Sequence, residues 1–404
     1  MKLNRLTILN LFMIVLVFLF TRCEYDGPTA VYYQSHEQAA SPTGINGLIP
    51  DKEAVAGVNY ITIIGDNFSE VVENNKVYFD GNLTETTDAS KTSITVRRPN
   101  QFGDSLTVKV VKYGALEVAE YEPYKIDSVY SAYGEFEGGD ELRAVAIDKN
   151  ENVYVIQLSP RNVYKIKPDG EKTIIGNALR PVTEARIGPG GNLILLMNNS
   201  RIYQIDVESG ARSTWVTLDN SVSFGDFDSN GYFYTGGEAS DLIVVAPDLT
   251  FNPINLYSVD TISCVRVYND YVYLLVKLGN PDNNDPELAI WRHPILDASG
   301  SLGNRELVLN WAETGVFAES EVSTFTFSAD GTMYIGTDYT QPIMSYNQQT
   351  GDQDIFYKNI LPSSAYRLVW GNGDHLYMLV GGEQWDLMRI DMGTLGAPYF
   401  GRNL

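Results

Sequence analysis

Six times after residue 142 the chain repeats one pattern: an apolar run, a turn of Asp, Asn or Gly, then an apolar pair ending in Tyr or Ile. The first instance is Val145-Ala146-Ile147-Asp148-Lys149-Asn150-Glu151-Asn152-Val153-Tyr154, and the others span 185–194, 225–234, 265–273, 325–334 and 368–377. Their anchors, Tyr154, Ile194, Tyr234, Tyr273, Tyr334 and Tyr377, stand 40, 40, 39, 61 and 43 residues apart, with no helical stretch between them. Four short strands fit such a period. A unit that small cannot bury its apolar face alone, so repeats of this kind stack radially as the blades of a propeller. Six anchors predict six blades over 127–404. The long interval gives the fourth blade extra residues between positions 277 and 311.

A different strand pattern precedes the repeats. Over 42–126, Tyr60-Ile61-Thr62-Ile63-Ile64, Lys76-Val77-Tyr78-Phe79 and Ser93-Ile94-Thr95-Val96 alternate on a period of two. Gly65-Asp66-Asn67, Asp80-Gly81-Asn82 and Pro99 supply the turns between them, which predicts a small β-sandwich. The order Pro50, Gly57, Ile61-x-Ile63-x-Gly65-x-Asn67-Phe68, Val77-Tyr78-Phe79-x-Gly81, Pro99 resembles the IPT/TIG immunoglobulin-like family. Those positions serve turns and core, and the domain reads as a spacer without a ligand site. The repeats after it are similar to NHL-type propellers. In relatives that join the two domains, a strand such as residues 128–134 closes the ring by pairing with the last blade, which removes an exposed sheet edge. The expected fold class is all-β: an immunoglobulin-like (IPT/TIG) sandwich followed by a six-bladed propeller.

The N-terminus reads as a leader. Lys2 and Arg5 precede an apolar segment at 6–20, too short to span a bilayer comfortably, and Cys23 follows. This resembles a bacterial lipoprotein signal over 1–22, with Cys23 as the lipidated residue. An ordinary signal peptide cut elsewhere is the alternative. Glu24 and Asp26 resemble the surface-export signal of Bacteroidota lipoproteins, and 23–41 reads as a flexible tether. The expected location is the outer membrane, lipid-anchored and facing outward.

Composition removes several chemistries. The 404 residues carry 29 basic and 51 acidic side chains, a net charge of −22, which becomes −25 without the leader. Such a chain repels phosphate backbones, so nucleic acid is not an expected partner. Two cysteines, Cys23 and Cys264, allow neither a disulfide framework nor a cysteine-rich zinc site. Three histidines, His36, His293 and His375, leave little for a multi-histidine metal site, and no GxSxG, HExxH, P-loop or GxGxxG motif occurs.

Sugars stack their C–H faces on aromatic rings and give their hydroxyls to Asp, Asn and Glu. On the propeller register the loop-rich face collects Tyr339, Glu383, Trp385 and Asp386, while Trp291 and Trp311 flank the long blade. These six are the expected glycan contacts, with Trp385 the foremost platform. Tryptophan packed between blades is the competing reading, and it is the reading for Trp370. Arg186, Asp226 and Arg266 occupy equivalent positions in three successive blades, either as an anion site in the central channel or as an inter-blade ion-pair network. Asp282, Asn284 and Asp285 crowd oxygen ligands into the long blade, where calcium and a solvated turn are the two readings; no other cofactor is expected.

The lipoprotein signal, IPT/TIG domain and propeller together resemble surface lipoproteins of Sus-type glycan-uptake systems. The resemblance implies a non-catalytic protein that binds a polysaccharide or oligosaccharide beside a TonB-dependent transporter complex. A propeller enzyme, a lactonase-like hydrolase or lyase, is the second reading. A scaffold of the transporter that touches no ligand is the third.

Overall fold

A computed structural model describes residues 43–137, 139–282, 284–382 and 385–403. The described residues form strands, the turns and loops that connect them and four short 3-10 turns, with no α-helix among them, arranged as a two-sheet sandwich and six further four-stranded sheets.

In the sandwich, Gly44–Ile49, Tyr60–Asp66, Ser93–Arg97 and Thr86–Ala89 form one sheet. Glu53–Ala54, Ala119–Ile126, Gly103–Lys112, Asn75–Phe79 and Asn82–Thr84 form the other. The alternation of the sequence becomes the core: Ile61, Ile63, Val77, Phe79, Ile94, Val96, Val108 and Val110 are fully buried between the sheets. The strand directions give the sandwich two poles. At one pole Gly44 pairs with Asp66, Lys112 Nζ donates to the Asn67 carbonyl, and the Tyr113 N–H donates to the Asn74 carbonyl. At the other pole lie Arg97, Gly103 and Ile126, where the chain leaves for the propeller.

Each propeller sheet starts at the channel with its first strand and runs outward. The inner strands are Leu142–Ile147, Glu184–Ile187, Phe224–Phe227, Thr261–Tyr268, Val322–Phe327 and Ala365–Trp370. Each packs beside the next, and the first packs beside the sixth, so the ring is closed. Closure comes from Tyr130–Ala132, which pairs antiparallel with Asp386–Asp391 as the outermost strand of the sixth blade. That is the ring-closing role expected for residues 128–134.

The repeated turn has a local cause. Asp148 accepts from the N–H groups of Asn150 and Asn152 and from the Tyr154 hydroxyl, at 2.8, 3.0 and 2.9 Å. Asp228 does the same for Asn230, Tyr232 and the Tyr234 hydroxyl, at 2.9, 2.9 and 3.1 Å. One carboxylate thus closes the turn and satisfies the phenol that burial would otherwise leave unpaired.

The extra length of the fourth blade is spread over three connections. It lies between Tyr271–Lys277 and Leu288–Pro294, between Leu288–Pro294 and Glu306–Asn310, and in two short 3-10 turns, Trp311–Glu313 and Gly315–Phe317.

The two domains touch through named polar contacts. Asp354 accepts from the Tyr60 hydroxyl and from Arg97, both at 2.8 Å, and Lys358 meets Glu85 at 2.7 Å. The Gly57 N–H donates to the Tyr357 hydroxyl at 2.6 Å, and the Tyr357 N–H donates to Asn59 at 3.0 Å.

Candidate functional site

At one end of the propeller, where inner strands begin, the connections between second and third strands gather with those that lead into each blade. A cleft of about 770 Å³ opens there between the fifth and sixth blades. Asp338, Ser363, Ser364, Gly381, Trp385 and Asp386 are among its walls. Trp385 is half-buried. Its ring meets Tyr366 edge-on at 5.3 Å, and the Arg143 guanidinium lies 5.1 Å from its centre. Arg143 in turn pairs with Glu141 and reaches the Tyr366 hydroxyl at 3.4 Å. The indole is therefore held in place by its neighbours and forms part of the cleft wall. Asp386 accepts from its neighbour Leu387 N–H, and partial burial pushes its carboxyl above the usual range. Glu383 lies outside the described residues, as does Cys23.

The other expected platforms go elsewhere. Trp291 is 5% exposed and Trp311 3%, so neither ring presents a face to a ligand. Trp291 sits in the core between the third and fourth blades, covered by the Arg305 guanidinium at 4.5 Å. Trp311 is locked under the connection to the fifth blade, its indole N–H donating to the Ser320 carbonyl at 3.1 Å. These two burials correct the expectation that both rings contact glycan. Trp370 is fully buried, the inter-blade reading given to it. Tyr339 turns onto Phe317, edge-on at 5.4 Å, rather than into the cleft. In the long blade, the Asp285 carboxylate holds Arg305 at 2.5 Å, and the Asp285 N–H donates to the Asp282 carbonyl in a turn. A guanidinium therefore occupies the position that calcium would need on Asp285, against the calcium reading. Among the described residues no three His, Cys, Asp or Glu side chains converge as a metal site.

The channel is filled by side chains. Arg186, Asp226 and Arg266 do occupy equivalent positions, opposite the anchors Ile194, Tyr234 and Tyr273. Arg186 Nε meets Asp226 at 3.3 Å and its Nη1 meets Glu184 at 2.8 Å, while Arg266 reaches the second Glu184 oxygen at 3.5 Å. Arg367 crosses the channel to the Thr183 carbonyl at 3.1 Å. Burial pushes both acids up against their arginines, Asp226 to about 6. At the opposite end the segment 396–403 covers the ring: the Tyr399 hydroxyl bonds Thr326 at 2.8 Å and Phe400 stacks on Phe227 at 5.0 Å. The space left, about 40 Å³, has room for one or two waters and for no sugar.

Glu184, Arg143 and Tyr366 were not singled out by sequence, yet for Arg143 and Tyr366 the register carried a signal. Three residues before the equivalent positions 146, 186, 226, 266, 326 and 369 stand Arg143, Thr183, Ser223, Ser263, Ser323 and Tyr366. Several of them join blade to blade at the channel mouth: Arg143 to the Tyr366 hydroxyl, Thr183 Oγ1 to the Ser223 carbonyl at 2.6 Å and Ser323 Oγ to the Ala365 carbonyl at 2.7 Å.

Residues 42–126 match the IPT/TIG domain family. No curated protein matches the chain by sequence. Among solved structures, an auxiliary nutrient binding protein of Bacteroides thetaiotaomicron is similar at a TM-score of 0.52 and 14% identity, over 86% of this chain and 97% of that one. Regucalcin, a calcium-binding protein of Agrobacterium tumefaciens, gives 0.52 and 12%, over 68% and 97%. A gluconolactonase of Xanthomonas campestris gives 0.50 and 12%, over 74% and 92%. At these identities the likeness is one of fold, extending over most of this chain in the first and over a smaller share of it in the other two.

Proposed function

We propose that this chain is a surface lipoprotein, anchored through Cys23 in the outer membrane, that binds an oligosaccharide or polysaccharide without catalysis for a Sus-type TonB-dependent uptake complex. The observation that carries the binding half is the cleft beside Trp385. It is wide enough for sugar rings, bordered by a half-buried indole that Tyr366 and Arg143 fix in place, and lined by hydroxyls and carboxylates. The nutrient-binding neighbour from Bacteroides supports the same reading. The carboxylates Asp338 and Asp386 and the net charge of −25 without the leader favour a neutral glycan and weak salt dependence.

Calorimetry against a glycan panel, with and without calcium, tests binding, and analysis of the products tests the lactonase-like alternative. Trp385→Ala should weaken binding about 5- to 30-fold, the loss of one stacked ring worth roughly 1–2 kcal/mol, with the fold intact. A sharp fall in melting temperature with unchanged affinity would move the site elsewhere. Binding of no glycan at all would favour the scaffold reading. Cys23→Ser should release the protein from the membrane fraction, and protease resistance on intact cells would argue against outward exposure.

A further inference from the structure

The two most exposed apolar side chains of the sandwich stand together at one pole, while Phe102, Ile49 and Leu83 are exposed singly elsewhere on it. Leu116 is 85% exposed, Tyr113 82%, Val71 51% and Val118 46%. Tyr113, Leu116 and Val118 stand on the hairpin between Gly103–Lys112 and Ala119–Ile126. Val71 lies beside it, its carbonyl accepting from Asn75, which pairs with Lys112. Apolar groups gathered on one tip mark a candidate contact surface.

Two observations name the partner. This pole is opposite the one that docks on the propeller through Tyr60, Arg97 and Glu85. It is also where the described chain begins, because Gly44 pairs with Asp66 there. Cys23 lies 20 residues before Thr43, a reach of at most about 70 Å. An anchored chain thus enters the sandwich at its apolar end and carries the propeller at the other. The hairpin turn Tyr113-Gly114-Ala115-Leu116 is uncharged, and nearby Glu70 is met by Lys91 at 3.9 Å. An acidic protein that an anionic leaflet repels as a whole presents to it an uncharged turn, flanked by Lys112 and Glu117, that carries a tyrosine, a residue suited to the headgroup level.

We propose that this pole rests on the lipid surface, with Tyr113 and Leu116 entering the headgroup region, so that the sandwich stands as a post under the propeller. The inference rests on the lipid-anchor reading and adds a second, non-covalent membrane contact to it, which a single-site anchor benefits from.

The test uses the mature acylated chain in vesicles of phosphatidylethanolamine and phosphatidylglycerol. Leu116→Cys carries an environment-sensitive fluorophore; Cys264 is buried and Cys23 acylated, so the label reports position 116 alone. Val259→Cys, exposed on the propeller, is the control. The expected result is a blue shift and loss of emission with brominated lipid at 116 and neither at 259. Tyr113→Cys repeats the measurement should Leu116→Cys fold poorly. Flotation with the vesicles but unquenched emission at both sandwich positions would overturn the membrane contact and leave the anchor standing. Emission already blue before lipid is added, and indifferent to brominated lipid, would overturn it in favour of the chain's own segment before Thr43 covering the tip. Failure of the wild type to float would sink the anchor reading and this inference with it.

Discussion

At the scale of single residues, burial separates side chains that the sequence treats alike. Trp291, Trp311 and Trp385 are all tryptophans near loops, but only Trp385 borders open space. Trp291→Ala or Trp311→Ala should therefore cost about 3–5 kcal/mol of stability through the cavity left behind, and leave glycan affinity unchanged; denaturant melts beside calorimetry check both halves. Glu184 is the hub of the channel, with Arg186 on one oxygen and Arg266 on the other. Glu184→Gln leaves two buried guanidinium groups short of a counter-charge, a loss of about 3–5 kcal/mol that thermal melts would register. Asp226 gives a pH signature. Its folded value, raised by burial to about 6, exceeds that of the unfolded chain, so the native state holds the extra proton between the two. The group's stabilising contribution is full at low pH and is lost as pH rises through about 6, on the order of 2–3 kcal/mol. Relative to Asp226→Asn, the wild type should lose stability between about pH 4 and pH 6, and parallel stability–pH curves would refute this.

At the scale of elements, the propeller depends on a strand of three residues. Tyr130–Ala132 lies against Arg389 and its neighbours and is followed by Tyr133, whose N–H donates to the Leu387 carbonyl at 2.7 Å. Ser131→Pro removes an N–H from the middle of this ladder and should lower the melting temperature by several degrees. An unchanged melt would mean that the ring holds without its closing strand. Packing also supports the interface between domains. Gly57 and Gly393 face each other so closely that a Cβ on Gly393 would stand 2.4 Å from the Ala56 carbonyl oxygen. Gly57, part of the sequence pattern of the sandwich, thus serves a contact between domains as well as a turn.

For the whole molecule, the question is whether sandwich and propeller move as one body. Asp354 joins them by two 2.8 Å contacts to Tyr60 and Arg97, and Lys358 adds a third to Glu85. A double variant, Asp354→Ala with Lys358→Ala, should loosen the joint while each domain stays folded. Small-angle scattering should then show a larger radius of gyration, and calorimetry two separate transitions. Scattering identical to the wild type would show that the apolar and backbone contacts at Tyr357 and Gly393 suffice.

What the sequence determined by itself is what short stretches of chain encode. A strand, a turn of Asp, Asn or Gly and a strand ending in Tyr or Ile are one local unit, so six copies at a period near 40 announced six blades, and alternation over 42–126 announced the sandwich. Register followed, placing Arg186, Asp226 and Arg266 at equivalent positions. Tertiary structure decided everything set by distant partners. Arg305 covers Trp291, while Tyr366 and Arg143 prop Trp385 from other parts of the chain. Glu184 binds Arg266 across the channel from 82 residues away, and Asp354 meets Tyr60 over a separation of 294. A period records how each repeat pairs with itself. Which ring is covered, which charge is neutralised and which pole stays bare depend on neighbours that the ring brings together only when it closes.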